Sequence, residues 1–289
     1  MKGRNSKRAV TLSILILIQL GICSLATVAS IFLDGYARIV IVKLIYTASF
    51  VFPYVLWKRA IKPVGVTLSK RSLCEYKIPA FFIAFAAIVA CLQINIVALE
   101  IFSVSRETSA SMPEGFGGFL FSLFVYALLP AATEELFYRG VVARVAGMGR
   151  RAAILSGIVF GLCHFDPSQL IYAVGSGVVL GLLYLYTDDI RMPIGLHLTV
   201  NTTVLLLSYL SRLVTVGVYV AVECFVWLAV LSIGVYYCYI VLRDHQRAIR
   251  QKNEEVMKMK GDISISETIS PAMLIVWIAI AVSTVLRLL

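Results

Sequence analysis

Apolar runs close to twenty residues or longer follow one another along almost the whole chain. A transmembrane helix needs about 20 such residues to cross the hydrocarbon core of a bilayer. The runs therefore predict an all-α fold, a polytopic transmembrane bundle of eight or nine helices. The predicted helices lie near 9–33, 37–57, 78–102, 116–138, 151–165, 168–187, 192–211 and 214–242, with a possible ninth at 271–289. The run at 151–165 is short for a full span, so we expect it to be broken or only partly embedded.

The composition excludes an ordinary soluble domain. The 289-residue chain is 60% hydrophobic and 15% charged, whereas soluble domains are about 45–50% apolar. The first run resembles a signal peptide because basic residues precede it. It is longer than the roughly 7–15 apolar residues of a signal sequence, however, so we interpret it as a retained first helix.

Three regions are predicted along the chain. Residues 1–115 hold about three N-terminal helices and a basic cytoplasmic loop, and residues 116–211 hold the core helices with the candidate site residues. Residues 212–289 hold the C-terminal helices, with a polar, basic linker at 243–270.

The formal net charge of +10 is unevenly distributed. Basic residues cluster at Lys2 to Arg8, at Lys58 to Lys77, at Arg139 to Arg151 and at Arg243 to Lys260. If the first helix runs outward, all four clusters fall on the cytoplasmic side, as the positive-inside rule requires. The pattern therefore predicts a cytoplasmic N-terminus, with the lipid bilayer and not a nucleic acid as the partner of these charges.

Ionisable residues inside apolar helices are informative because each costs several kcal/mol unless it is paired or wetted. Glu134 and Glu135 stand side by side in a predicted span. Glu135 and Arg139 are four residues apart, so they share a helix face and can form an ion pair. Glu134 points roughly 100° away and is left available as a general base. A structural ion network at a helix end is the alternative reading of these residues.

Two of the chain's three histidines also lie in apolar helices. His164 follows Phe160 by one helical turn, and His197 precedes Asn201 by one turn. A lone buried histidine is more often a core residue than a catalytic one. Two histidines, an asparagine and a glutamate pair on three neighbouring helices favour a site.

Two glycine pairs, Gly157 with Gly161 and Gly177 with Gly181, lie within consecutive predicted helices. The four-residue spacing of small side chains predicts close helix packing in the membrane.

These motifs resemble the CAAX-protease and bacteriocin-processing (Abi, CPBP) family, which includes the Ras-converting CAAX endopeptidase. The resemblance covers about residues 115–210 and rests on three patterns in the family's order. They are EExxxR at Glu134, Glu135 and Arg139, FxxxH at Phe160 and His164, and HxxxN at His197 and Asn201.

The resemblance implies hydrolysis of a peptide bond within the membrane plane. Glu134 would accept a proton from water that His164 helps to position, while His197 and Asn201 would stabilise the developing oxyanion. Glu135 with Arg139 and Phe160 would support these groups. The predicted topology would require the cavity to open toward the cytoplasm. A non-catalytic membrane scaffold or regulator of the same fold is the alternative function.

A divalent metal such as zinc is a possible cofactor, because two histidines and a carboxylate suit that ion. Its ligands would be Glu134, His164 and His197, with Asn201 a weaker candidate. The substrate class implied is a membrane-associated peptide or lipidated protein, such as a prenylated CAAX protein, a bacteriocin precursor or a peptide pheromone. The compact chain suits a prokaryotic plasma membrane.

Overall fold

The computed structural model describes residues 2–60, 76–102, 115–147, 149–164 and 166–257. These residues form eight helices and no strand. The helices are α1 Lys2–Phe32, α2 Gly35–Ala60, α3 Lys77–Ile101, α4 Gly115–Ala146, α5 Arg150–Leu162, α6 Leu170–Thr187, α7 Arg191–Leu210 and α8 Val216–Met257. A short 3-10 turn at Pro167–Gln169 leads into α6.

Seven of these eight helices are long and apolar enough to cross a membrane. The all-helical, polytopic prediction is therefore confirmed, and the chain is an integral multi-pass membrane protein. The exception is α5, which has 13 residues and is roughly 20 Å long, shorter than a bilayer core of about 30 Å. The segment expected to be short is thus not a full span. The possible ninth helix at 271–289 lies outside the described residues.

Helix α8 extends well past the predicted span at 214–242. Residues 243–257 contain neither glycine nor proline, so nothing in the sequence breaks the helix where its apolar run ends. The first part of the predicted linker at 243–270 is therefore helical, and residues 258–270 are outside the described part of the chain.

The bundle has two chemically different ends. At the first, which we call the basic end, Lys77 Nζ lies 2.9 Å from Asp189 Oδ2 and Arg144 donates to the Tyr184 hydroxyl at 2.7 Å. At the other, the far end, aromatic contacts join Tyr36 to Phe121 and Phe119 to Tyr209. The basic end collects the N-terminal ends of α1, α3, α5 and α7 and the C-terminal ends of α2, α4 and α6.

Helices α5 and α6 pack backbone to backbone through the two glycine pairs. A Cβ on Gly177 would lie 2.6 Å from the Gly157 carbonyl oxygen, and one on Gly181 would lie 2.6 Å from the Ala153 carbonyl oxygen. Real Cβ atoms do not approach so closely, so these positions require glycine. The prediction of close packing is confirmed.

Two apolar clusters hold the bundle together. One joins α3, α6, α7 and α8 and includes Ile88, Leu180 and Trp227. The other joins α1, α2, α4 and α5 and includes Phe50 and Phe137. The candidate site lies where these two clusters meet.

Candidate active site

A cavity of about 550 Å³ lies among α2, α3, α4, α5, α6 and α7. Glu134, His164, His197 and Asn201 all line it. The four side chains come from three separate helical regions, and the fold brings them to one space that is large enough for a peptide segment and water.

The two adjacent glutamates have different environments. Glu134 lines the cavity and is 3% exposed; its Oε1 accepts a hydrogen bond from the Tyr46 hydroxyl at 2.8 Å. Its other oxygen, Oε2, is buried and has no hydrogen-bond partner among the described residues. Glu135 is fully buried and does not line the cavity. The prediction that the two glutamates point in different directions, with Glu134 left available, is confirmed.

Arg139 connects α4 to α5 and α6 through its side-chain contacts. It is fully buried and donates to Glu135 Oε1 at 2.9 Å, as the four-residue spacing predicts. Its other terminal nitrogen donates to the Gly177 carbonyl at 2.6 Å, and its guanidinium lies 5.1 Å from the centre of the Phe160 ring. An unpaired buried charge would cost several kcal/mol, so these contacts fix α4 against α5 and α6.

His197 is oriented by Glu135. Its Nδ1 lies 3.0 Å from Glu135 Oε1, and because an ionised carboxylate can only accept, Nδ1 carries the proton. The remaining nitrogen, Nε2, is then an acceptor in the neutral ring and a donor in the imidazolium. The Phe160 ring lies 5.8 Å from that of His197, edge to face.

His164 lies just past the C-terminal end of α5. Its Nδ1 is 2.8 Å from the Phe160 carbonyl oxygen and must donate to it, which leaves Nε2 as an acceptor. Nearby, Asp166 accepts from the Ser168 backbone and side chain and from Gln169. Burial would raise the pKa of Asp166, but these hydrogen bonds outweigh burial and hold that pKa below its usual value.

Asn201 contacts the backbone of α4 four residues before Pro130. Pro130 has no N–H to donate to the carbonyl four residues earlier, at Tyr126. That carbonyl accepts a long hydrogen bond, 3.4 Å, from Asn201 Nδ2. The glutamates themselves lie on a short α segment, Leu129–Phe137, between two π-helical segments, Leu123–Leu128 and Tyr138–Val142. Such wide turns are frequent at functional sites.

Comparison with known families matches residues 116–203 to the model of type II CAAX prenyl endopeptidase Rce1-like proteins. The matched range includes all of the candidate residues from Glu134 to Asn201. We call residues 116–203 the Rce1-like segment. The family resemblance stated for about 115–210 is thus confirmed over 116–203. Neither the curated proteins nor the solved structures gave a match.

The Rce1-like segment does not present a ready metal site. Across the described ranges, no group of three or more His, Cys, Asp or Glu side chains is placed to hold a metal ion. The set Glu134, His164 and His197 lines one cavity but does not converge on a point. A zinc cofactor therefore stays a prediction, and no step below depends on a metal.

Two further cavity residues come from outside the Rce1-like segment. Tyr46 and Lys43 are both on α2, one turn apart. The sequence held a signal for Lys43, since it is a charged residue in the middle of an apolar run and such residues mark functional sites. Tyr46 carries no such signal, because a tyrosine in a membrane helix is ordinary.

Side chains of different exposure line the cavity. Its lining includes the buried Ile88, Phe160 and Leu180 and the exposed Gln169 and Val204. The opening of the cavity toward the cytoplasm stays a prediction.

Proposed function

We propose that the protein is a glutamate-dependent intramembrane endopeptidase that hydrolyses a peptide bond in a membrane-associated or lipidated peptide or protein. The observation that carries this proposal is Glu134 Oε2, a buried carboxylate oxygen without a protein partner that borders a cavity shared with two histidines and an asparagine. Glu135 Oε2 also has no partner among the described residues, but Glu135 does not line the cavity, so Glu134 is the glutamate that a water molecule in the cavity can reach.

In the proposed mechanism, Glu134 takes a proton from a water molecule in the cavity. The Tyr46 hydroxyl holds Oε1, so Oε2 is the oxygen that accepts this proton. The acceptor nitrogen of His164 takes a hydrogen bond from the same water and orients it. The hydroxide then adds to the scissile carbonyl carbon.

The developing oxyanion is stabilised from α7. Asn201 has two amide N–H groups, of which one contacts Tyr126, so the other is available to the oxyanion. His197, whose Nδ1 contacts Glu135, donates through Nε2 when the ring is protonated. A donor of this kind contributes roughly 3–4 kcal/mol. Glu134 then returns its proton to the leaving amine as the peptide bond breaks.

The test is a cleavage assay on purified protein in lipid vesicles, with lipidated and unmodified candidate peptides. We expect Glu134→Gln to lower the rate by a factor of roughly 10²–10⁴, the usual contribution of a general base, and His197→Ala to lower it as well. Glu100→Gln is the matched control, since Glu100 is exposed near the end of α3.

Two outcomes would contradict the proposal. Cleavage retained in both site variants would rule out the assigned roles. No cleavage of any peptide by the parent would favour the non-catalytic scaffold. A chelator arm tests the metal hypothesis separately: we expect no change, and a loss that added metal restores would show a metal-dependent enzyme.

A further inference from the structure

Asn95 is a polar side chain inside an apolar helix, and the proposed mechanism does not use it. It lies on α3, is 5% exposed and borders the cavity. Helix α3 precedes the Rce1-like segment in the chain. A polar group that is buried in a membrane helix costs free energy unless it is hydrogen-bonded, so the partners of Asn95 indicate what this residue does.

Both polar groups of the Asn95 amide contact the backbone at the start of α6. Its Nδ2 donates to the Ser168 carbonyl at 2.8 Å, and its Oδ1 accepts from the Tyr172 backbone N–H at 3.2 Å. Because the donor faces a carbonyl and the acceptor faces an N–H, the two partners fix the orientation of the amide. One side chain of α3 therefore holds the 3-10 turn and the first turn of α6 together.

The start of α6 lacks a capping side chain of its own. The first N–H groups of an α-helix have no acceptor within the helix, and Gln169 at the N-cap position makes no side-chain hydrogen bond to them. Tyr172 is the third residue of α6, and an N-cap side chain commonly binds the N–H at this position. Asn95 supplies that hydrogen bond from a different helix.

The turn that Asn95 holds forms part of the cavity wall. Ser168, Gln169 and Tyr172 line the cavity together with His164. Within the turn, Asp166 accepts hydrogen bonds from Ser168 and Gln169. These bonds brace the turn internally, and those of Asn95 join it to α3.

We propose that Asn95 is a positioning residue for His164. This inference rests on the proposed function, in which His164 orients the attacking water. His164 lies just past the end of α5, so α5 fixes its backbone on one side and the chain leading into the turn fixes it on the other. By holding the turn, Asn95 keeps the acceptor nitrogen of His164 directed at the water.

The first test is Asn95→Leu, which keeps a side chain of similar size and removes both hydrogen bonds. We expect kcat to fall by roughly 10–10²-fold with little change in KM, because small displacements of a positioned group cause losses of this order. Thr203→Val is the matched control, since the Thr203 hydroxyl donates to the Thr199 carbonyl within α7. A residue that supported only the fold would lower the yield of folded protein and leave the kcat of the folded enzyme unchanged.

Asn95→Asp gives a second test in its pH profile. The protonated carboxyl keeps one donor and one acceptor, whereas the ionised form only accepts and would face the Ser168 carbonyl oxygen. A carboxyl is protonated below its pKa, so the rate relative to the parent should be highest at acidic pH and fall as the pH rises. The ratio to the parent removes the titration of the groups that line the cavity in both proteins, which include Lys43, Glu134, His164 and His197.

Amide hydrogen exchange in detergent tests the anchor without cleavage. We expect the Tyr172 N–H to exchange roughly 2- to 12-fold faster in Asn95→Leu, which corresponds to the net loss of one hydrogen bond, and at the parent rate in Thr203→Val. Unchanged exchange or unchanged kcat in Asn95→Leu, or a pH-independent ratio in Asn95→Asp, would overturn the inference. Faster exchange together with no cleavage of any peptide by the parent would instead contradict the proposed function.

Discussion

At the scale of single residues, the chemistry depends on how the two oxygens of Glu134 are divided. One oxygen is bound by Tyr46, a residue 88 positions earlier in the chain, and the other is free for water. The hydroxyl therefore acts as a positioning group that decides which carboxylate oxygen faces the reacting water.

We expect Tyr46→Phe to lower kcat about tenfold with little change in KM, because a hydrogen bond to a charged group contributes about 1.5–3 kcal/mol and its loss lets the carboxylate rotate. Single-turnover cleavage would measure the effect. Tyr239→Phe, at an exposed tyrosine on α8, is the control. A Tyr46→Phe enzyme as fast as the parent would show that the hydroxyl does not position Glu134.

For some of the residues found from the sequence, the spacing along a helix encodes the contact itself. Glu135 and Arg139 pair across one turn, as do Phe160 and His164. The contacts of Lys43, Tyr46 and the Gly177 carbonyl depend on which helices become neighbours. No local spacing records that information, so these contacts could not be predicted, although Lys43 itself stands out as a charged residue in an apolar run.

At the scale of elements, the α5–α6 pair is the foundation of the site. Its glycines let α6 come close enough for the Gly177 carbonyl to accept from Arg139. Glycine spacing predicted the close packing of α5 and α6, though not the hydrogen bond from Arg139. The π-helical segments of α4 were not predicted, because such turns arise where tertiary contacts compete with the regular helical hydrogen bonds.

A side chain at Gly157 should separate these two helices. We expect Gly157→Leu to lower the free energy of unfolding by at least about 1–3 kcal/mol, the usual cost of overpacking, and to reduce activity because Arg139 loses its carbonyl partner. Thermal unfolding in detergent measures the first effect. Gly217→Ala is the control, since a Cβ there meets open space and alanine favours a helix by up to about 1 kcal/mol.

At the scale of the whole molecule, hydropathy and charge predicted the helical bundle but not which of its side chains line the cavity. Long apolar runs specify helices because the bilayer leaves the backbone no other partner. They do not specify where neighbouring helices diverge. That depends on side-chain volumes such as those of Ile88 and Leu180, which are buried and line the cavity.

The shortness of α5 makes the protein sensitive to the thickness of its bilayer. The helix is roughly 20 Å long and exposes Ile154, Leu155, Ile158 and Leu162 on its outer surface. The segment that follows its end carries the polar residues Asp166 and Gln169, and Gln169 lines the cavity. A lipid monolayer next to α5 must thin to meet that polar turn, at a cost of fractions of a kcal/mol per Å.

Vesicles of phosphatidylcholines with short, medium and long acyl chains would measure this dependence. We expect cleavage to be fastest in the shorter-chain lipids, where the thin bilayer leaves the turn after α5 hydrated, and slower as chain length grows. Equal rates in all three would show that the lipid does not reach this side of the bundle. If cleavage does slow as the acyl chains lengthen, hydrophobic mismatch at the short helix α5 controls how readily water and substrate enter the enzyme.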